Sequence, residues 1–287
     1  MEGPFLAVDW GTTNRRAWRI GAGGASEAEE KDERGMISVP PGGFAAEAAE
    51  LRARLGDLPM LCAGMVGSNR GWAETAYVAC PLDLEAIAAA LLWVEPDRTA
   101  LLPGAAMQGG RPDVMRGEEV QALGAVAAGL APPDALLCLP GTHCKWAEMG
   151  GGRLEGFVTA MTGELFALLR DHSLLGAQLA AAVAPGPAFL EGVAASSGDL
   201  FARLFGVRAA ALLGRRGDED SAAYASGLLI GADVRARGVP GREIYVLAEP
   251  ALGALYGAAI KALGGRAVAV DGRAAFLAGI GAIWRLT

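Results

Sequence analysis

Cysteine, histidine and lysine are scarce in this chain, and each shortage narrows its chemistry. The four cysteines, Cys62, Cys80, Cys138 and Cys144, show neither a CxxC pair nor a spacing that joins them to histidine. A zinc-type site is excluded on that ground, and free thiols are expected, with Cys138 and Cys144 facing each other across a hairpin. The two histidines, His143 and His172, lie in no nucleophile motif, so a hydrolytic triad is not expected. Of 25 Lys plus Arg, only Lys31, Lys145 and Lys261 are lysine, and the formal net charge is -7. This is no electrostatic footprint for nucleic acid or an anionic membrane, so anionic ligands must be held by local donors. Apolar runs stop short of the roughly 18 residues of a spanning helix. The start, MEGPFLAVDW, lacks the basic region and apolar core of a signal peptide. A soluble, cytoplasmic protein with no membrane and no nucleic-acid partner is expected. G-x-x-x-x-G-K-[ST], a strand-borne G-x-G-x-x-G and the protein-kinase signature set are all missing, which disfavours those phosphate-binding folds.

What the sequence does hold is ample apolar material, 52% against 20% charged, over 287 residues. That suits one large or two modest domains. The chain is organised around Leu6–Trp18, LAVDWGTTNRRAW. An apolar run ends in Asp9, Gly11 and two threonines follow, and a second apolar run begins. The pattern predicts a β-hairpin whose turn, Gly11, Thr12 and Thr13, suits a phosphate: glycine admits close approach, and successive N–H groups and hydroxyls cradle an anion. Asp9, at the end of a buried strand, is costly as an unpaired charge and well placed against a metal ion. An ordinary hairpin turn accounts for the same residues.

A second stretch of the same kind, ALLCLPGTHCKW, spans Ala135–Trp146. Two Gly-Thr hairpins over a hundred residues apart suggest two similar domains, each offering a phosphate turn to a shared cleft. Lys145 puts a compact ammonium just after Gly141 and Thr142, in a chain that otherwise favours arginine. His143 lies within the turn as a donor for a phosphate oxygen. Between the hairpins, Gly64–Trp72 (GMVGSNRGW) follows a short buried strand, the usual place for a ligand loop. Its Ser68, Asn69 and Arg70 suit hydroxyls and a carboxylate.

DWGTT with a distant GTxxK hairpin resembles the actin-like ATPase and sugar kinase superfamily. DWGTTNRRAW, AGMVGSNRGW, VMRGEE, PGTHCKW and MTGEL, in this order, resemble the 2-dehydro-3-deoxygalactonokinases over residues 7–165, with weaker similarity in SGLLIGA and AFLAGI. The resemblance implies an α/β fold of two actin-like (ribonuclease H-like) domains flanking an active-site cleft. Residues 1–112 would carry the first phosphate turn and the sugar-acid loop, and 113–287 the second turn and the nucleotide site. The polar, turn-rich segment Ala105–Pro112 is read as the boundary. The implied activity is ATP-dependent phosphorylation of 2-dehydro-3-deoxy-D-galactonate at its 6-hydroxyl in D-galactonate catabolism, with Mg²⁺ held at Asp9 through water. Asn69, Arg16, Arg70 or Arg116 would orient the acid. The alternatives are a kinase for another sugar or sugar acid, or a non-catalytic sugar-acid sensor. A small sugar acid is the expected partner, with a homodimer as one assembly.

Two places depart from the pattern. Related kinases carry a Gly-Asp pair whose acid is the base; here Gly117-Glu118-Glu119 opens a helix. Glu118 is taken as the base and Glu119 is the alternative, although acids in a first turn also simply complement the helix dipole. Near the adenosine site, Ala248-Glu249-Pro250 stands where relatives carry a Gly-rich turn, and Glu249 is a candidate for the ribose hydroxyls. The remaining pattern predicts helices over Phe44–Leu55, Asp83–Trp93, Gly117–Leu130, Thr162–His172, Asp218–Arg237, Ala251–Leu263 and Arg273–Leu286. The β-α-β-α alternation after Ile244 implies parallel pairing.

Overall fold

A computed structural model of the chain describes residues 3–287. Along it come β1 (Phe5–Trp10), β2 (Arg15–Ile20), β3 (Ser26–Asp32), α1 (Phe44–Leu55), β4 (Met60–Ala63), β5 (Tyr77–Ala79), α2 (Leu84–Ala89), β6 (Leu92–Glu95), β7 (Thr99–Leu101), β8 (Gly104–Met107), β9 (Asp113–Met115) and α3 (Glu118–Ala127). Then follow β10 (Leu136–Leu139), β11 (Cys144–Gly150), β12 (Arg153–Ala160), α4 (Thr162–His172), α5 (Pro187–Ala195), α6 (Leu200–Leu212), α7 (Asp218–Arg235), β13 (Glu243–Leu247), α8 (Pro250–Ala262), β14 (Arg266–Val270) and α9 (Gly272–Leu286).

Contacts divide the chain into two units. Unit 1 holds everything up to Asp134 with Glu148–Phe157 and Gly272–Thr287; unit 2 holds Ala135–Ala147 and Val158–Asp271. The larger sheets share one plan: β3-β2-β1-β4-β7, with β6 added at the edge, and β12-β11-β10-β13-β14. In the first, β1, β2 and β3 form an antiparallel meander, and β4 and β7 continue parallel to β1. In the second, β10, β13 and β14 run parallel, as the alternation implied. The two Gly-Thr hairpins are therefore the same element of two like sheets.

Strand period sorts the residues of unit 1. Leu6, Val8 and Trp10 point to one face of β1 and pack with Phe44, Ala48, Leu51 and Leu55 of α1. Phe5 points to the other face, where it stacks on Trp284 of α9 at 4.9 Å; on β2 the Trp18 ring meets Phe276 of α9 at 5.3 Å. Asp9 shares the parity of Phe5, which sets it on the α9 face.

A cut at residue 112 would send β9, α3 and α9 to the second half, whereas all three pack within unit 1. The reason for α9 is a backbone-to-backbone approach. A Cβ on Gly124 would lie 2.0 Å from the Ala275 carbonyl oxygen, and one on Gly279 would lie 2.2 Å from that of Val120. Nor is Ala105–Pro112 all turn: Gly104–Met107 is β8, paired with β5 and β9 in a small third sheet. The helix expected over Asp83–Trp93 stops at Ala89. Asp83 caps it, accepting from the Ala86 N–H at 2.9 Å, but Trp93 and Val94 lie in β6, antiparallel to β7. Aromatic and β-branched side chains favour that pleated surface.

Two glycines of α9, Gly279 and Gly281, predict opposite outcomes for the same substitution. Alanine at Gly279 gains about 1 kcal/mol of helix propensity but must separate α3 from α9 at a cost of about 3 kcal/mol, for a net loss of about 2 kcal/mol. At Gly281 in the same helix, a Cβ would meet nothing nearer than the Arg285 side chain at 3.8 Å. G281A should therefore raise the urea midpoint and G279A lower it; equal shifts would refute the close-approach account.

Candidate active site

The first turn is fastened from behind. The carbonyls of Gly11, Thr12 and Thr13 accept from Met36 N–H (2.9 Å), Ile37 N–H (3.1 Å) and Gly35 N–H (3.1 Å). Only glycine fits at 35, because a Cβ there would lie 2.3 Å from the Thr13 carbonyl carbon. With the carbonyls engaged, the N–H groups of Thr12 and Thr13 make no hydrogen bond among the described residues, and both threonines are exposed. The turn thus offers donors outward, which suits an anion.

The second turn is built the same way. Gly163, in the first turn of α4, has no room for a Cβ: it would lie 2.4 Å from the Gly141 carbonyl oxygen. This approach lets the Glu164 N–H donate to the Thr142 carbonyl at 2.8 Å. Glu164 also gives His143 an acid partner that was not visible in the sequence, with Nε2 to Oε2 at 2.5 Å. The MTGEL landmark is therefore the backing of the PGTHCKW turn. Gly141, Thr142 and His143 are exposed, while Lys145 is buried and donates to Thr159 Oγ1 at 3.1 Å. Cys138 and Cys144 do face each other, Sγ to Sγ at 3.7 Å, and all four cysteines are free. Beneath the turn, Asp233 accepts from Trp146 Nε1 (3.0 Å), Thr162 Oγ1 (3.1 Å) and Tyr256 OH (3.1 Å). Glu249 is exposed at the N-cap of α8, and Pro250 occupies the first helical position, where a missing N–H removes nothing the helix uses.

In unit 1 the two arginines of the first hairpin part company by strand parity. Arg15 turns to the α1 face, buried between Asp32 (2.6 Å) and Glu47 (3.0 Å). Arg16 lies opposite Asp9 in the register, with Nε 3.7 Å from Oδ2. Asp9 is 24% exposed at the carboxyl end of β1. Burial pushes its carboxyl above the usual carboxylate range, the Arg16 guanidinium pulls it back, and Glu118 adds to the push.

Two left-handed glycines bring the start of α3 to this place. Gly64 (φ 94°) ends β4, and its Cβ would lie 2.9 Å from the Trp10 carbonyl and 3.4 Å from Asp9 Oδ1; a Cβ on Gly117 (φ 109°) would lie 3.3 Å from Gly64 Cα. Here Glu118 and Glu119 separate. Both Glu119 oxygens accept from the Gly117 N–H, at 2.9 and 2.7 Å, and the side chain is fully buried. Burial, with Glu118 beside it, pushes Glu119 up to about 8. Glu118 is half-buried, accepts from the Arg116 N–H through Oε2 at 3.2 Å, and keeps Oε1 without a hydrogen bond among the described residues.

The loop expectations need two corrections. Asn69 and Arg70 are exposed, but Ser68 is buried, its hydroxyl 3.3 Å from Met36 Sδ. Arg116 is not free to meet a substrate. Its guanidinium donates to the Thr75 hydroxyl and, at 3.2 Å, to the Thr75 carbonyl, and lies over the Tyr77 ring at 4.3 Å. Arg116 turns inward where the chain doubles back at Thr75, whose own hydroxyl is within 3.1 Å of the Gly67 and Leu102 carbonyls. Among the described residues no three metal-binding side chains gather, and no helix is long and apolar enough to cross a membrane.

Glu119 sets a pH prediction. Its folded pKa lies above the ordinary carboxylate value, so its contribution to stability is whole below about pH 4.5 and is lost as pH rises toward about 8. E119Q keeps the shape without the titration. Thermal melts across that interval should fall with pH in the parent and fall less in E119Q; parallel curves would show that Glu119 is ionised throughout.

The family model described as 2-keto-3-deoxy-galactonokinase matches residues 9–283. The chain is 38% identical to the probable 2-dehydro-3-deoxygalactonokinase DgoK1 of Rhizobium meliloti, covering 99% of each. It is 37% identical to the 2-dehydro-3-deoxygalactonokinase of Escherichia coli, covering 99% of this chain and 98% of the relative. A crystal structure of a putative 2-dehydro-3-deoxygalactonokinase protein from Sinorhizobium meliloti superposes with a TM-score of 0.91 at 37% identity, covering 98% of both chains. With two like sheets, two glycine-backed turns and these matches along its whole length, the chain belongs to the 2-keto-3-deoxy-galactonokinase family of sugar kinases, on the actin-like α/β fold.

Proposed function

We propose that this protein transfers the γ-phosphoryl group of ATP to the 6-hydroxyl of 2-dehydro-3-deoxy-D-galactonate, a step of D-galactonate catabolism in the cytoplasm. The observation that carries the reading is the Gly64–Gly117 approach, which brings the start of α3, with Glu118 and its uncommitted oxygen, to Asp9 at the end of β1. A carboxylate that touches the attacking hydroxyl accepts its proton as the oxygen–phosphorus bond forms and ADP leaves. Glu118 Oε1 is available for that contact, whereas both Glu119 oxygens are spent on Gly117. The base is therefore Glu118, and Glu119 holds the helix start.

Gly11, Thr12 and Thr13, and likewise Gly141, Thr142, His143 and Lys145, serve phosphate oxygens through N–H groups, hydroxyls and charge. Glu249 serves the ribose hydroxyls. Asn69 and Arg70 orient the substrate, with its carboxylate on Arg70, and Arg16 contributes beside Asp9. Mg²⁺ fits Asp9: one or two carboxylates, water and substrate phosphates are its usual donors, and a cation offsets both the burial that chiefly lifts the Asp9 pKa and the smaller push from Glu118. Bound there, the ion would neutralise charge on the phosphates.

E118Q should fold as the parent does, hold KM within a few-fold and lose about 10²–10⁴ in kcat. ADP release across a panel of 2-keto-3-deoxy sugar acids, with and without Mg²⁺, checks the substrate. Turnover that is fastest on another acid would move the specificity while keeping the kinase, and ligand binding without ADP release would leave a sensor. Near-parental kcat in E118Q would remove it from the mechanism.

A further inference from the structure

One helix of unit 2 is apolar on two faces. Leu204 and Val207 of α6 are buried against Ala225, Leu228 and Leu229 of α7. About a third of a turn away, Phe201, Phe205 and Leu212, spaced four and seven residues apart, are 86%, 65% and 71% exposed. Leu213 and Leu174 are 67% and 72% exposed, and the Leu174 carbonyl accepts from Arg208 at 3.0 Å, which sets Leu174 beside the middle of α6. With large side chains of about 150–250 Å² each, these five leave roughly 600 Å² of apolar surface. That is at the upper end of what monomers expose, and near the share of about 800 Å² that each partner gives to a stable interface.

The surface is self-complementary. Beside the Phe201–Phe205–Leu212 ridge runs a strip of small residues, Ala202, Gly206 and Ala209, and a Cβ on Gly206 would meet nothing within 4 Å. A ridge next to a groove on one helix is what two copies need to pack each into the other about a two-fold axis. The charges choose the direction. Asp199 caps the N-terminal end, its carboxylate accepting from the Ala202 N–H at 3.1 Å, and it has no ion pair among the described residues. Arg215, just past the other end, is exposed and also lacks one. An antiparallel approach brings the Asp199 end of each α6 to the Arg215 end of the other and opposes the helix dipoles. A parallel approach sets like charges together.

We propose that this face of α6 is the contact of a two-fold homodimer, with the helix packed antiparallel against its copy. The proposal rests on unit 2 alone and is independent of the substrate. Sedimentation velocity on the full chain over a concentration series tests it. The parent should sediment as a dimer, and F201E/F205E as a monomer with an unchanged circular dichroism spectrum. Milder variants guard against misfolding: D199N keeps the cap and removes the charge, and R215E reverses the other partner. Each should raise the dimer dissociation constant about threefold to tenfold. A parent that stays monomeric, or a dimer unaffected by all three variants, would overturn the assignment. So would a monomeric parent that instead co-sediments with vesicles of anionic phospholipid.

Discussion

A chain bend that offers its N–H groups to a ligand must first dispose of its own carbonyls. In both units a distant glycine makes that possible: Gly35 behind Thr12 and Thr13, and Gly163, whose close approach to Gly141 lets the Glu164 N–H hold the Thr142 carbonyl. Any Cβ at either place would occupy the space of backbone atoms, so the backing segment would retreat and the carbonyls would lose their partners. An orphaned carbonyl near an anion costs twice: it is unsatisfied, and its negative end repels the ligand. The donor character of the two turns is therefore set by residues outside them. In the second unit the same helix start also supplies Glu164 to His143. One approach thus orders both the backbone and the side chain of that turn.

The arrangement around Asp9 follows from strand parity and two glycine contacts. Period two sends Arg15 to Glu47 on the α1 face and leaves Arg16 beside Asp9. The Gly64–Gly117 approach then admits the start of α3 to the same place, and the Gly124–Gly279 approach holds the rest of α3 on α9. The consequence is electrostatic. A carboxylate that would ordinarily be fully ionised is recessed near a second one, and Arg16 offsets only part of the penalty. Such an unrelieved pair of acids is unfavourable for folding alone and favourable for a site that takes a cation.

What was legible in the sequence was local. Hairpins with Gly-Thr turns, the apolar period of α1, α7, α8 and α9, and the parallel alternation at the end depend on neighbours within a few residues, and they appear where the pattern set them. What depends on partners far along the chain was not legible. Nothing in GMVGSNRGW says that Ser68 turns inward to Met36, 32 residues earlier. Nothing in VMRGEE says that Arg116 spends its guanidinium on Thr75. Trp93 and Val94 continue a helical pattern and are claimed by β7 all the same. The place of α9 in unit 1 has a signal only in hindsight, the glycines of AFLAGIG, because small residues mark close approach without naming the partner. Asp233 was hidden for the same reason: its three donors come from β11, α4 and α8.

Arg116 shows how one residue can join a loop to a helix start. Its side chain clamps the far end of the loop that begins at Gly64, through Thr75 and Tyr77, while its backbone N–H holds one oxygen of Glu118. The loop and the carboxylate are thereby tied through a single residue. A side chain with three rotatable bonds, such as glutamate, would otherwise sample many positions at a helix start. Anchoring Oε2 removes most of that freedom and leaves Oε1 without a hydrogen bond among the described residues. The extra methylene that distinguishes Glu118 from the aspartate of related kinases is compatible with this. The longer chain folds back onto an amide two residues earlier, and that contact restores the definition of position that a shorter side chain has by default.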